Sequence, residues 1–166
     1  MERGYDTTRP HKKEYYPNSY KESKIIEKKM KNPDLEYFKL TDKTPRTAFT
    51  KYLDSKGLEY DVQELKNIIS DSYSMIIGMK KYYNRPRPFQ INENIKPSKS
   101  QSASTPAYPS GHAFQSYLIA KHLSRKYPLH TFNFYSIANR ISRARVSVGL
   151  HYPSDNRKAF ELAHKL

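Results

Sequence analysis

The chain contains no cysteine, so no disulfide framework and no thiolate metal site is available to it; the absence fits a reducing compartment. Apolar residues make up only 36% of its 166 positions and the mean hydropathy is −0.93. No apolar run approaches the roughly 20 residues a membrane helix needs; the longest candidate, Met75 to Met79, is followed by two lysines. The opening MERGYDTTRPHKKEYY lacks the apolar stretch of a signal peptide. A soluble, cytoplasmic protein is the expectation. There is no β-type alternation and no internal repeat. Acidic residues are scarce, 16 Asp+Glu against 30 Lys+Arg, and the net charge of +14 calls for an anionic partner. Nucleic acid, anionic lipid and phosphorylated small molecules all meet that requirement.

The length suits one domain with one core. Residues 1–33 are polar and basic, with three prolines, and read as an N-terminal arm carrying a short helix over Ser23 to Met30, capped by Ser23. Residues 34–166 read as a single helical domain. Thr44-Pro45 opens a helix that Gly57 stops. Glu59 to about Tyr82 is the longest periodic segment, its Val62, Leu65, Ile68, Ile69, Tyr73, Ile76 and Ile77 forming one apolar face before Pro86 and Pro88 end it. Residues 89–109 read as a long loop. A helix starts at Ser110, another covers about Leu129 to Val148, and a last amphipathic one carries Phe160, Leu162 and Leu166. The fold class is all-α.

Three segments hold the candidate chemistry. In ARVSVGLHYPSD, His151 and Asp155 are four apart with Pro153 between them. The proline pushes Tyr152 out of helical geometry, so Asp155 opens a new helix and can turn its carboxylate onto the His151 ring. That fixes the tautomer and leaves Nε2 free as a nucleophile. In PSGH, Ser110 caps a helix, Gly111 lets a ligand approach the backbone, and His112 on the first turn is placed to protonate a leaving oxygen. In KKYYNRPRP, Lys80 sits at a helix end and Arg87 is stiffened by flanking prolines for a bidentate contact. Lys81 and Arg85 read as a solvated basic helix end. Arg143 and Arg145 lie about 200° apart around a helix, so only one faces the site; spacing selects Arg145, leaving Arg140 and Arg143 solvated. His11, His122, His130 and His164 have no metal-ligand spacing.

Lys80, six intervening residues, then Arg87-Pro88, then PSGH, then Arg145, His151 and Asp155 closely resembles the three-part signature of the type 2 phosphatidic acid phosphatase superfamily. That superfamily includes bacterial non-specific acid phosphatases, lipid phosphate phosphatases and vanadium-dependent haloperoxidases. The resemblance spans residues 80–155. It implies a compact helical bundle with the site at one end, His151 as the phosphorus nucleophile oriented by Asp155, and His112 as proton donor. Lys80, Arg87, Ser110, the Gly111 amide and Arg145 would hold the phosphoryl oxygens. It further implies a metal-independent phosphatase of monoesters, pyrophosphates or lipid phosphates, with no cofactor and with vanadate as inhibitor. Among family members, the absence of membrane helices likens the chain to the soluble acid phosphatases. Two alternatives stay open: a vanadate-dependent haloperoxidase using the same residues, and a non-catalytic basic protein binding nucleic acid or membrane. The first reading takes a phosphorylated small molecule or lipid as substrate, allows peripheral contact with an anionic membrane, and disfavours nucleic acid. One departure is Ala144, where the family usually has Ser before the arginine.

Overall fold

The computed structural model describes residues 16–166; His11 and the first half of the expected arm lie outside the described residues. The elements in chain order are α1 (Ser19–Lys29), α2 (Leu35–Thr41), α3 (Arg46–Ser55), α4 (Val62–Tyr83), α5 (Pro88–Ile91), α6 (Gly111–Lys126), α7 (Thr131–Ser147) and α8 (Pro153–Lys165). Short 3-10 turns cover Gln101–Ser104 and Pro128–His130. No strand occurs among the described residues, so the fold is all-α. No described helix is long and apolar enough to cross a membrane.

Helix α6 is the centre of the bundle, packed against α7, α8 and α4. Its Ala113, Phe114, Tyr117, Ile119, Ala120 and Leu123 are buried. They meet Leu65 and Ile76 of α4, Phe134, Ile137 and Ile141 of α7, and Ala159 and Ala163 of α8. The three- and four-residue spacing of these positions is what puts them on one face. In α8 the buried apolar residues are the two alanines, with Leu162 partly buried against the core, whereas Phe160 and Leu166 are exposed. Small residues there let α8 approach α6 closely, and this corrects the apolar face expected from Phe160 and Leu166. On α4, likewise, Val62 and Tyr73 face outward.

Two local differences matter for the site. The first helix begins at Ser19, not Ser23, because Asn18 supplies the cap by accepting from Lys21 N at 3.0 Å. Ser23 is buried, and its hydroxyl accepts from Asn92 Nδ2 at 2.9 Å while donating to Tyr20 O. With Ile26 fully buried against Ile95, Val146 and Tyr152, α1 is part of the packed body, and only its exposed side reads as an arm. The second difference is α2, a short helix with no strong periodicity, capped by Asp34 through Tyr37 N at 3.1 Å. It leads to Asp42, which proves central below.

The chain leaves α7 through Gly149, whose φ is +81°. The positive φ favours glycine, and a Cβ there would stand 3.0 Å from Ile95 and 3.1 Å from Met30, so those side chains would have to shift to admit one. This turn delivers Leu150 and His151 to the buried end of the bundle.

Candidate active site

His151 is 1% exposed. Its Nδ1 lies 2.8 Å from Asp155 Oδ2, and its Nε2 lies 2.9 Å from Arg87 Nη1. A guanidinium can only donate, so Nε2 carries the lone pair and Nδ1 the proton, which it donates to the carboxylate. The local cause is the Tyr152-Pro153 step: Tyr152 is extended (φ −85°, ψ 153°) and Pro153 starts α8. Asp155, in the first turn, then accepts from Tyr152 N at 2.9 Å as well as from the ring.

Asp155 is fully buried. Burial raises its carboxyl to about 6, with Arg85 and the Tyr152 amide pulling the other way. Arg85 Nη1 donates to Asp155 Oδ1 at 2.9 Å. The expectation of a solvated Arg85 is therefore corrected: its side chain is fully buried and stacks on Tyr152 at 3.7 Å. It also donates through Nη2 to Glu22 Oε2 at 2.9 Å, and Glu22 in turn accepts from Ser154 N and Oγ, each at 2.6 Å. A buried chain of contacts thus runs from α1 to His151: Glu22, Arg85, Asp155, imidazole. Pro86 follows Arg85 and precedes Arg87, so both arginines lie in one stiff stretch, a signal that could have drawn attention to Arg85.

Lys80, Arg87, Gly111, His112 and His151 line one cavity of about 390 Å³. The residues from three distant segments therefore converge. Gln101, Ser102, Ser104 and Thr105, from the segment expected as a loop, form one wall. Lys80 is buried, with Nζ donating to Pro106 O at 2.8 Å. Burial, then the Arg87 charge, pushes its pKa well below the usual lysine range. Arg87 spends all five N–H groups: on the carbonyls of Thr105, Leu150 and Ser102, on Thr105 Oγ1 and on His151. Burial lowers it to about 9, so it remains a cation at neutral pH.

His112 also lines the cavity, and its Nε2 lies 2.7 Å from the Asp42 carbonyl. A carbonyl only accepts, so the proton sits on Nε2 and the lone pair on Nδ1. Enclosure first, and then the Arg145 charge, hold His112 well below the usual histidine range; burial and Arg87 do the same to His151.

Ser110, Arg145 and Asp155 stand behind the cavity wall rather than on it. Ser110 caps α6, accepting from Ala113 N at 3.3 Å, and its own N–H ties to Asp155 O at 3.2 Å. Arg145 is fully buried and donates to Asp42 Oδ1 at 2.7 Å and Ser102 Oγ at 2.5 Å. Its Nε–H is buried with no partner among the described residues, a donor left unspent. Arg143 is exposed, as spacing indicated. Arg140 is not simply solvated: it grips Asp34 through Nε and Nη2 at 2.8 and 3.2 Å and lies 4.0 Å over Tyr37. Asp42 orders both His112, through its carbonyl, and Arg145, through its carboxylate. No feature of the sequence around Asp42 marks it for that work.

The remaining described histidines are engaged elsewhere: His122 with Glu64 at 3.3 Å, His130 with Tyr52 at 2.7 Å, and His164 with Tyr135 at 2.8 Å. Ala144 is fully buried and belongs to the apolar core cluster.

No curated protein matches the chain. The family model of the PAP2 superfamily matches residues 66–158, which takes in all three segments. With more than half of its length matched and those segments brought to one cavity, the chain belongs to the PAP2, or type 2 phosphatidic acid phosphatase, superfamily.

Proposed function

We propose that the chain is a phosphatase that hydrolyses phosphate monoesters through a phosphohistidine at His151. Family membership supports phosphatase-type chemistry in general. The single observation that carries the finer reading is the polarity of the His151 ring, with Nδ1–H held by a buried carboxylate and the Nε2 lone pair on the wall of a cationic cavity.

The steps follow from those positions. The phosphoryl group enters among Lys80, Arg87 and the Gly111 N–H, and its oxygens exchange for part of the Arg87 hydrogen bonding. Arg87 Nη1 leaves Nε2, whose lone pair attacks phosphorus. As the P–N bond forms, the P–O bond to the leaving group breaks and that oxygen takes a proton from His112. Charge in such a transition state spreads over the three equatorial oxygens, so fixed cations and N–H donors do most of the stabilising. Asp155 balances the positive imidazole of the intermediate. In the second half, His112 takes a proton from water, the water oxygen attacks phosphorus, the P–N bond breaks, and inorganic phosphate leaves. His112 must carry an extra proton in the first half. A bound phosphate dianion supplies the negative charge that raises its depressed pKa.

Turnover of 4-nitrophenyl phosphate tests the reading. Activity should survive EDTA, be inhibited by vanadate, and be lost in His151→Ala. Normal turnover in that variant would remove the mechanism.

A further inference from the structure

The cavity that holds Lys80, Arg87 and the two histidines does not end at the phosphoryl site. It shares Thr44, Ile69 and Tyr73 with a second cavity of about 380 Å³, which adds Arg46, Lys66 and Ser70. The two form one groove along α4. Lys66, Ile69, Tyr73, Ile76, Ile77 and Lys80 recur at three- and four-residue steps and so share a helix face. Lys66 and Lys80 mark its ends, about 21 Å apart along the axis at the α-helical rise.

The chemistry changes along the groove. At one end is the phosphoryl site. Its middle is apolar, made by Ile69, Ile77 and the ring of Tyr73, which is 60% exposed. At the far end stand Arg46 and Lys66. Among the described residues no carboxylate lines either cavity, and none pairs with Lys43, Arg46 or Lys66. The exposed basic groups that do have an acid beside them among the described residues, such as Arg140 and Lys165, lie elsewhere on the fold. An aromatic ring left open beside two unpaired cations, in continuity with a phosphate-binding cavity, is a poor arrangement for solvent and a good one for a ligand of matching pattern.

We infer that the groove selects substrates whose leaving group is apolar next to the phosphate and carries a second anionic group at its far end, held by Arg46 and Lys66. This inference rests on the phosphatase reading for the position of the reacting phosphate, and it goes further by naming the class of leaving group. Lys96 and Lys99, in the segment 89–109, do not line the groove.

The test uses non-hydrolysable phosphonates, so that binding is read whether or not the chain turns over substrate. One pair is a biphenyl or terphenyl phosphonate with and without a distal sulfonate. The other is a long-chain alkyl phosphonate with and without a terminal carboxylate. Dissociation constants are measured by calorimetry for the wild type and for Arg46→Gln, Lys66→Gln and the double variant. In at least one pair the distal anion should tighten wild-type binding about three- to tenfold, as expected for one or two partly exposed ion pairs. The ratio should fall to about one in the double variant. A preference in the aryl pair identifies a flat leaving group stacked on Tyr73; a preference in the alkyl pair identifies an aliphatic one. Equal affinities within both pairs, or a preference that survives the double substitution, overturns the inference. Failure to hydrolyse 4-nitrophenyl phosphate would instead sink the phosphatase reading, and the binding ratio would still report on the groove.

Discussion

Replacing Arg85 with methionine removes a fully buried cation that holds two buried carboxylates, Asp155 at 2.9 Å and Glu22 at 2.9 Å. Methionine keeps much of the volume and loses the charge. Breaking a buried ion pair from one side typically costs about 3–5 kcal/mol, because the partner is left uncompensated. For a domain of this size that corresponds to a Tm lower by about 6–20 °C. Glu22→Gln keeps the shape at the other end and should cost less, about 1.5–3 kcal/mol, the range for hydrogen bonds to a charged group. The two substitutions share Arg85, so their effects should not add. With Glu22 already neutral, loss of Arg85 orphans one carboxylate instead of two, and the double variant should be more stable than the sum of the singles by about 1–3 kcal/mol. Urea unfolding followed by circular dichroism of the four proteins measures this.

The pH dependence has a definite sign. Burial already raises Asp155 to about 6 in the wild type, and loss of Arg85 raises it further. A carboxyl with a raised folded-state pKa favours the native state most when protonated, so the Arg85→Met deficit should shrink as pH falls below about 6 and grow toward neutrality. Turnover should also fall at neutral pH, because a protonated Asp155 no longer balances the imidazole charge. Additive effects within about 0.5 kcal/mol, or an Arg85→Met cost below about 1 kcal/mol, would refute the contact chain from α1 to His151.

Gly111→Ala separates folding from binding. A Cβ there meets Ile76 at 3.6 Å and Lys80 at 3.8 Å, ordinary contacts, so stability should hold or rise by up to about 1 kcal/mol. Phosphate affinity should drop about tenfold, the loss expected when one hydrogen bond to a charged oxygen is blocked; an unchanged dissociation constant by calorimetry would count against backbone approach at this residue. Anion binding should also be linked to protons. Burial and neighbouring cations hold His112, His151 and Lys80 well below their ordinary ranges, and an anion among them reverses part of that, so protons are taken up. Sulfate, which does not titrate near neutrality, should bind more tightly at pH 6 than at pH 8, with proton uptake seen by calorimetry in buffers of different ionisation enthalpy; pH-independent binding would contradict it.

The helical class and the line of α4 were legible because apolar spacing and proline punctuation are local signals. The His151–Asp155 contact was legible for the same reason, since the bend that makes it is encoded within five residues. Arg85 was misread because a basic residue past a helix end is ordinary in sequence, and its burial depends on Glu22, 63 positions away. Asp42 was silent for a stronger reason. Its backbone carbonyl does half of its work, and a carbonyl carries no sequence signature. Arg46 and Lys66 carry no local signal, and only the fold places them at the end of a groove that no carboxylate lines among the described residues. Convergence of distant segments is a tertiary property, and residues that act through it show only when the segments are packed.

The most direct test of His151 as the nucleophile is trapping of the intermediate. The protein is mixed with a phosphate monoester, quenched within the first turnovers under alkaline denaturing conditions that preserve phosphohistidine, digested, and sequenced by mass spectrometry. A phosphoryl group on the His151 peptide, absent in His151→Ala and accumulating in a His112→Ala variant slow to admit water, is the expected result. Steady hydrolysis with no phosphoryl group on that peptide, or with the group on another residue, would contradict it.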